Sequence, residues 1–536
     1  MPQNYGNYPQ PPNQPPGGPS QPYQSPLLGD LTAKPGYPPP QRTRNASPLD
    51  TNPINRSFNP KHMSIGRLVF FGLGVVVLMS IGVSIFLLGN LQNSPFLGGN
   101  SPASLTYWGI DEPEGVMQPL IDQYQSTHPG VTIHYERRTL TQYRQTLQTR
   151  ISQSTGPDIF RFHNTWLPML HDSLEPVPSS VYSAQDFQNL FYPVVRENLT
   201  LNGNFYGIPL QYDGLALVYN PDMLAAAGFQ SPPSTWSDIW EVYGPKITKF
   251  NPDHSVTLGT AALGTSTNID YFSDIVGTMM LQNGVQMVGS DHNVGIATSI
   301  ITNAGGTKRN LGADVLTFYT LLAKGYSTTG PAAIWDDTLP TSSSAFAAGK
   351  VAMVVVPARQ LPDIANAVAQ NKSGVKIAVA PLPQILPPNE GQPLYWATYW
   401  AEGVSKTSKS KQAAWDFLKF LSSKDSELAL YNQETKVRGY GVVPSRTDLA
   451  DQFKANSATA GFVTGAPSAH SWYSASGTGD QGLNDGLNQV FGDAVTSVLK
   501  RNVDPETTIK KTAKDASGIL SQYQLSLPDT SKDANQ

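Results

Sequence analysis

Residues 68–89 read LVFFGLGVVVLMSIGVSIFLLG, 22 positions without a charge. As a helix rising about 1.5 Å per residue, such a run spans roughly 33 Å, close to the hydrocarbon thickness of a bilayer. It predicts a transmembrane helix and divides the chain into parts that face different solvents. Arg42, Arg44, Arg56, Lys61 and Arg67 precede it, and no Lys or Arg follows until Arg137. Positive charge stays on the cytoplasmic side, so the N-terminus is expected inside and everything after Gly89 outside. A cleaved secretory signal has an apolar region of about 7–15 residues behind a short leader. A full-length span behind a long leader reads instead as an uncleaved signal-anchor, residues 65–89, in a single-pass membrane protein.

The part before the span, residues 1–64, holds 16 of the 45 Pro, all before position 61, with Gln, Asn, Ser, Gly and Tyr between them. Such a stretch cannot bury enough apolar surface to offset its chain entropy, and it is expected to be a disordered cytoplasmic tail, partly polyproline II. Segments such as Tyr37-Pro-Pro-Pro can dock on aromatic grooves, but composition favours a solvated tail. Residues 90–104, NLQNSPFLGGNSPAS, form a linker, and residues 526–536 a disordered C-terminus. The chain has no Cys. That excludes disulfide scaffolds, thiolate metal sites and the lipid-modified Cys that anchors many secreted bacterial proteins, leaving the apolar helix as the anchor. A formal net charge of −4 gives none of the basic surplus that nucleic acid demands.

Residues 105–525 read as one large globular unit of α/β class. Leu105-Thr-Tyr-Trp predicts a strand, and Val116, Leu120 and Tyr124 mark the helix after it. Val131-Thr-Ile-His-Tyr is a second strand, 141–153 a second helix, and Gly156-Pro-Asp-Ile-Phe-Arg-Phe opens a third strand. A βαβαβ order implies a parallel sheet that binds ligands beyond the carboxyl ends of its strands. Leu215-Ala-Leu-Val-Tyr, Lys350-Val-Ala-Met-Val-Val-Val and Val375-Lys-Ile-Ala-Val-Ala are later strands. Lys411 to Leu421 is an amphipathic helix with Ala414, Phe417, Leu418 and Leu421 on one face.

Six stretches in this order carry a resemblance: Gly156-Pro-Asp-Ile; Phe205-Tyr-Gly-Ile-Pro-Leu-Gln-Tyr-Asp-Gly-Leu-Ala-Leu-Val-Tyr-Asn-Pro-Asp-Met-Leu; Ala227-Gly-Phe with Pro232-Pro-Ser-Thr-Trp-Ser-Asp; Ala345-Phe-Ala-Ala-Gly-Lys-Val-Ala-Met; Ala380-Pro-Leu-Pro; and Lys409-Ser-Lys-Gln-Ala-Ala-Trp-Asp-Phe-Leu-Lys-Phe-Leu. The chain resembles the family 1 extracellular solute-binding proteins, the substrate receptors of ABC importers of the maltose-binding type. The resemblance implies a two-lobe periplasmic-binding-protein type II (venus-flytrap) fold, preceded here by the tail and the transmembrane helix. It places lobe I at about 105–211 and 376–421 and lobe II at about 212–357 and 440–525, with crossings near 209–214, 357–375 and 421–440. It leaves the Gly/Ser/Thr-rich loop 474–482 and residues 251–310 unmatched.

A pocket for a neutral polyol needs aromatic faces and planar hydrogen-bonding groups. Strand ends and matching stretches supply Trp108, Glu112, His163, Asn164, Trp166, Tyr212, Asp213, Tyr271, Trp335, Arg359, Trp396, Trp400, Trp472 and Tyr473 as candidate ligand residues. Each has a plainer alternative: core packing for a Trp, a satisfied turn for Asp213, an ion pair for Arg359. Trp236 and Trp415 read as packing residues. The eight His show no His-x-x-x-His spacing, no Gly-x-Ser-x-Gly elbow occurs, and Gly477-Thr-Gly-Asp-Gln-Gly follows no strand as a dinucleotide-binding turn must. Neither a catalytic set nor a metal or cofactor site emerges. The expectation is a membrane-anchored receptor that binds a carbohydrate between its lobes and hands it to ABC permease subunits. The alternative is a glycan-binding or signalling receptor of the same fold uncoupled from an importer.

Overall fold

A computed structural model describes residues 102–288, 293–302, 308–325 and 332–525. The expected tail, the apolar span and the C-terminal residues 526–536 lie outside the described residues. Among the described residues no helix is long and apolar enough to cross a membrane.

Two five-stranded sheets organise the described chain. In the first, Ala103–Gly109 lies parallel to both Val131–Arg137 and Ile159–His163, as short βαβ spacing dictates. This opening strand starts two residues inside the stretch assigned above to the linker. Trp400–Ser405 then inserts antiparallel between Ile159–His163 and Leu174–Glu175. The second sheet runs Ala378–Ala380, Leu215–Tyr219, Val351–Pro357, Val256–Ala261, Lys249–Phe250. Its centre, Val351–Pro357, is buried at every position, the mark of a strand covered on both faces. Helix Lys411–Leu421 turns Ala414, Trp415, Phe417, Leu418 and Leu421 inward, so Trp415 is a packing residue.

The lobes are joined where residues 208–214 run beside residues 397–402. Ile208 bridges Glu402 in both directions at 2.9 Å, Gly214 bridges Ala397, and Thr398 donates its N–H to the Asp213 carbonyl at 2.8 Å. Residues 442–446 flank this pair: Tyr212 donates to the Val443 carbonyl at 2.8 Å and Ser445 Oγ to the Pro209 carbonyl at 2.7 Å. Gly207 is required at the crossing, since its φ of +87° is left-handed and a Cβ there would lie 2.7 Å from the Phe162 ring.

Two expected boundaries move. Ala378–Ala380 pairs with Leu217–Tyr219, so this strand belongs to the second lobe and the return crossing lies at 397–402 rather than 357–375. The last crossing also comes later than 421–440. Phe453 still packs on Tyr431 of the first lobe, and the chain reaches the second lobe by Gly461, whose nearest neighbours are Val379 and Ala380.

Candidate functional site

Where the two inner crossings meet, a small cavity open to solvent is lined by Asp111, Glu112, Arg161, Gln211, Asp213, Arg359, Trp400, Arg438 and Val442. Asp111 and Glu112 follow the first strand, at the carboxyl end where an α/β sheet presents its ligands. Arg161 and Glu402 come from facing positions of neighbouring strands. Asp213 and Trp400 come from the crossings, and Arg359 from the turn after Val351–Pro357.

The charges fall into three pairings. Arg161 is buried between Glu112, which accepts from Nη1, and Glu402, which accepts from Nε at 2.7 Å. Burial works against the charge on Glu112, but Arg161 outweighs it and holds this carboxyl below its ordinary range. Glu434 accepts from Arg438 at 3.4 Å and from the Val442 N–H at 2.8 Å, and burial with Glu112 nearby pushes it up to about 8. Arg359 Nη1 donates to the Thr398 carbonyl at 2.9 Å and to Asp213 Oδ2 at 3.3 Å, while the Ala358 N–H donates to Asp213 Oδ1 at 2.7 Å. Burial raises Asp213 to about 7, an effect Arg359 only partly offsets.

Four groups at the cavity remain uncommitted. Gln211 Nε2, Arg359 Nη2 and Trp400 Nε1 are buried without a hydrogen-bond partner among the described residues. Asp111 lines the cavity and enters no ion pair among the described residues; burial and then Glu112 raise its pKa. Unmet buried donors beside an unpaired carboxylate are costly unless something completes them. A hydroxyl, which donates and accepts at once, completes both kinds.

Of the side chains expected at the ligand, Glu112, Asp213, Arg359 and Trp400 line this cavity. Tyr271 is adjacent, its ring centre 5.8 Å from the Arg359 guanidinium and its hydroxyl donated to Gln360 Oε1 at 3.0 Å. The others are held elsewhere. Trp108 lies under Arg138 at 4.0 Å and against Tyr143, on the sheet face covered by helix Tyr143–Ser152. His163 is buried between the Thr165 and Thr398 hydroxyls, and burial, then Arg359, pushes its pKa well down. Asn164 bonds Asn198, Ser471 and the Tyr399 N–H. Trp166 donates to Asn484, Trp335 to Thr265 and Asn268, and Trp396 to Asp274. Tyr212 packs on Tyr192 in the core. Trp472 and Tyr473 pack by each other, Trp472 edge-on to Phe491. In these places a tryptophan's N–H is spent on the protein or its ring on the core.

Asp111 falls within the stretch after the first strand where ligand residues are expected, whereas Arg161, Gln211, Arg438 and Val442 line the cavity without having been singled out. One of them, Arg161, had a legible signal together with its partner Glu402. An Arg inside Ile-Phe-Arg-Phe-His and a Glu inside Trp-Ala-Glu-Gly-Val are opposite charges in buried strands, which persist only when paired.

Comparison with known proteins decides the family. Residues 119–461 match the sequence profile of the bacterial extracellular solute-binding proteins. The chain belongs to that family. A binding protein of Brucella abortus is 22% identical over 397 residues, covering 74% of this chain and 88% of the relative. Among solved structures, an ABC transporter solute-binding protein from Thermotoga lettingae, bound with α-D-tagatose, superposes with a TM-score of 0.57 at 22% identity over 78% of this chain and 100% of that one. The sugar-binding protein MalE of Xanthomonas citri superposes at 0.60 with 17% identity, over 78% and 98%. At such identities the superpositions establish the two-lobe solute-binding fold. Family and fold are those of binding proteins.

Proposed function

We propose that this solute-binding protein is the receptor of an ABC importer, that it takes a carbohydrate or related polyol into the cavity at the lobe crossings, and that residues 68–89 hold it at the outer face of the cytoplasmic membrane. The observation carrying the ligand class is the conjunction of Trp400, Asp111 and Arg359 Nη2 around one cavity: an aromatic wall, an uncommitted acceptor and an uncommitted donor. A ring with adjacent hydroxyls donates to Asp111, accepts from Arg359 and lays its C–H face on the indole. The tagatose bound by the Thermotoga lettingae protein and the sugar-binding description of the Xanthomonas citri protein support the same class. The anchor rests on the uncharged run, the positive flank and the absence of Cys.

Because the cavity lies at the crossings, ligand that bridges both lobes stabilises the closed form over the open one by its extra contacts, and closure presents both outer surfaces to a permease. The full chain, purified in detergent and heated to release what it holds, tests the ligand class by mass spectrometry. A stoichiometric saccharide or polyol supports the reading; a stoichiometric solute without hydroxyls refutes it. Protease treatment of intact spheroplasts tests the topology: the globular unit is cleaved and an N-terminal tag is spared, whereas cleavage of the tag contradicts the anchor orientation.

A further inference from the structure

The Gly/Ser/Thr-rich loop 474–482 has no part in the cavity, yet it spans the two lobes. One end is fixed to the second lobe: the Ser476 N–H donates to Asp274 Oδ2 at 2.7 Å, and Asn488 Nδ2 donates to the Ala475 carbonyl at 2.7 Å. The other end sits on the first lobe. Arg144 Nε donates to the Asp480 carbonyl at 2.8 Å, and Gln145 Nε2 to Gln481 Oε1 at 3.0 Å. Gly477 and Gly479, with φ of +69° and +57°, take the left-handed turns that bring the loop across.

Asn484, in the first turn of helix Leu483–Leu499, completes the contact. The Asp480 carboxylate accepts the Gly482, Asn484 and Asp485 N–H groups, which fixes that turn. Asn484 Oδ1 then accepts from Thr165 Oγ1 at 2.9 Å and from Trp166 Nε1 at 3.0 Å, both in the first lobe. The Trp166 ring stands edge-on to Trp400 at 5.2 Å. Reading outward from the cavity, the order is Trp400, Trp166, Asn484 and the loop, so protein fills the space between the lobes in that direction.

We infer that loop 474–482 with Asn484 is a latch between the lobes that ends the binding cleft beyond Trp400 and restricts the ligand to short saccharides. This rests on the carbohydrate reading above. A longer chain extending past Trp400 must pull Asn484 off Trp166 and Thr165 and leave their buried donors unmet, which is how a site rejects a ligand that otherwise fits.

The test is titration calorimetry of the full chain in detergent with neutral mono-, di- and tetrasaccharides of the gluco, galacto and manno series. The wild-type chain binds its preferred mono- or disaccharide at least about tenfold more tightly than any tetrasaccharide, a difference of about 1.4 kcal/mol. Asn484→Ala, and separately Thr165→Val, narrow that ratio to within about threefold while the short sugar still binds, which also reports that the variants fold. Tetrasaccharides bound as tightly as short sugars by the wild-type chain overturn the inference. A preference for short sugars that neither substitution moves overturns the latch. Failure to bind a sugar of any length overturns the carbohydrate reading itself, and the inference with it.

Discussion

Two buried ion pairings stand at the same cleft and do different work. In the first lobe, Arg161 is enclosed by Glu112 and Glu402 on neighbouring elements, and its donors face carboxylates. At the crossing, Arg359 reaches Asp213 at 3.3 Å and Thr398 at 2.9 Å and keeps Nη2 unmet beside Trp400 Nε1. The first arrangement meets all three guanidinium nitrogens of Arg161, leaves only Glu402 Oε2 without a partner, and ties together the strands that carry it. The second leaves a guanidinium nitrogen unmet, and it lies where the lobes meet. The proposed division, scaffold in one place and recognition in the other, lies in whether the protein completes the arginine's hydrogen bonding.

That contrast breaks most easily at Arg161. Arg161→Met strands two buried carboxylates, and equilibrium denaturation of the full chain in detergent should show a loss of about 3–5 kcal/mol. If the variant kept its stability and lost only ligand affinity, the roles assigned to the two pairings would be reversed. On the recognition side, Trp400→Ala should weaken saccharide binding by about 2 kcal/mol, roughly thirtyfold by calorimetry. Trp400→Phe, which keeps a ring and loses the N–H, should cost about 1 kcal/mol of affinity.

Asp213 sharpens the comparison through pH. Its pKa, raised to about 7 by burial, means that the folded state holds this proton more tightly than the unfolded chain does. Its contribution to stability is therefore complete below the ordinary carboxylate value and is lost as pH rises through about 7, at up to about 1.4 kcal/mol per pH unit. Asp213→Asn should flatten thermal-unfolding profiles between about pH 4 and pH 7; an unchanged slope would show that Arg359 neutralises Asp213 after all. The smallest effect belongs to the exposed pair Lys376–Asp222, at 3.0 Å on the surface. Lys376→Ala should change stability by no more than about 0.5 kcal/mol and leave sugar binding untouched.

Much of the framework was legible because the first three strands and helix Lys411–Leu421 are continuous apolar or periodic runs at local spacing. The strand Ala378–Ala380 was assigned to the wrong lobe because nothing within Ala-Val-Ala states which sheet it will join; the answer is its pairing with Leu217–Tyr219, far away in the chain. The tryptophans show the same limit at the site. Trp396 and Trp400 stand in near-identical Tyr-Trp settings, yet Asp274, 122 positions from Trp396, takes its N–H, while the N–H of Trp400 remains unmet. Residue type and strand-end position name a pool of candidates, and only long-range contacts decide which of them the protein has already satisfied.

The central claim is that a polyhydroxylated solute completes the unmet groups of Trp400, Arg359 and Asp111. Its most direct test is calorimetry of the full chain in detergent with a neutral monosaccharide and disaccharide panel, run in parallel on Asp111→Asn and Trp400→Ala. The account predicts one-to-one binding of at least one sugar by the wild-type chain and a loss of roughly tenfold or more in each variant. Sugar binding that survives both substitutions at wild-type affinity would contradict it.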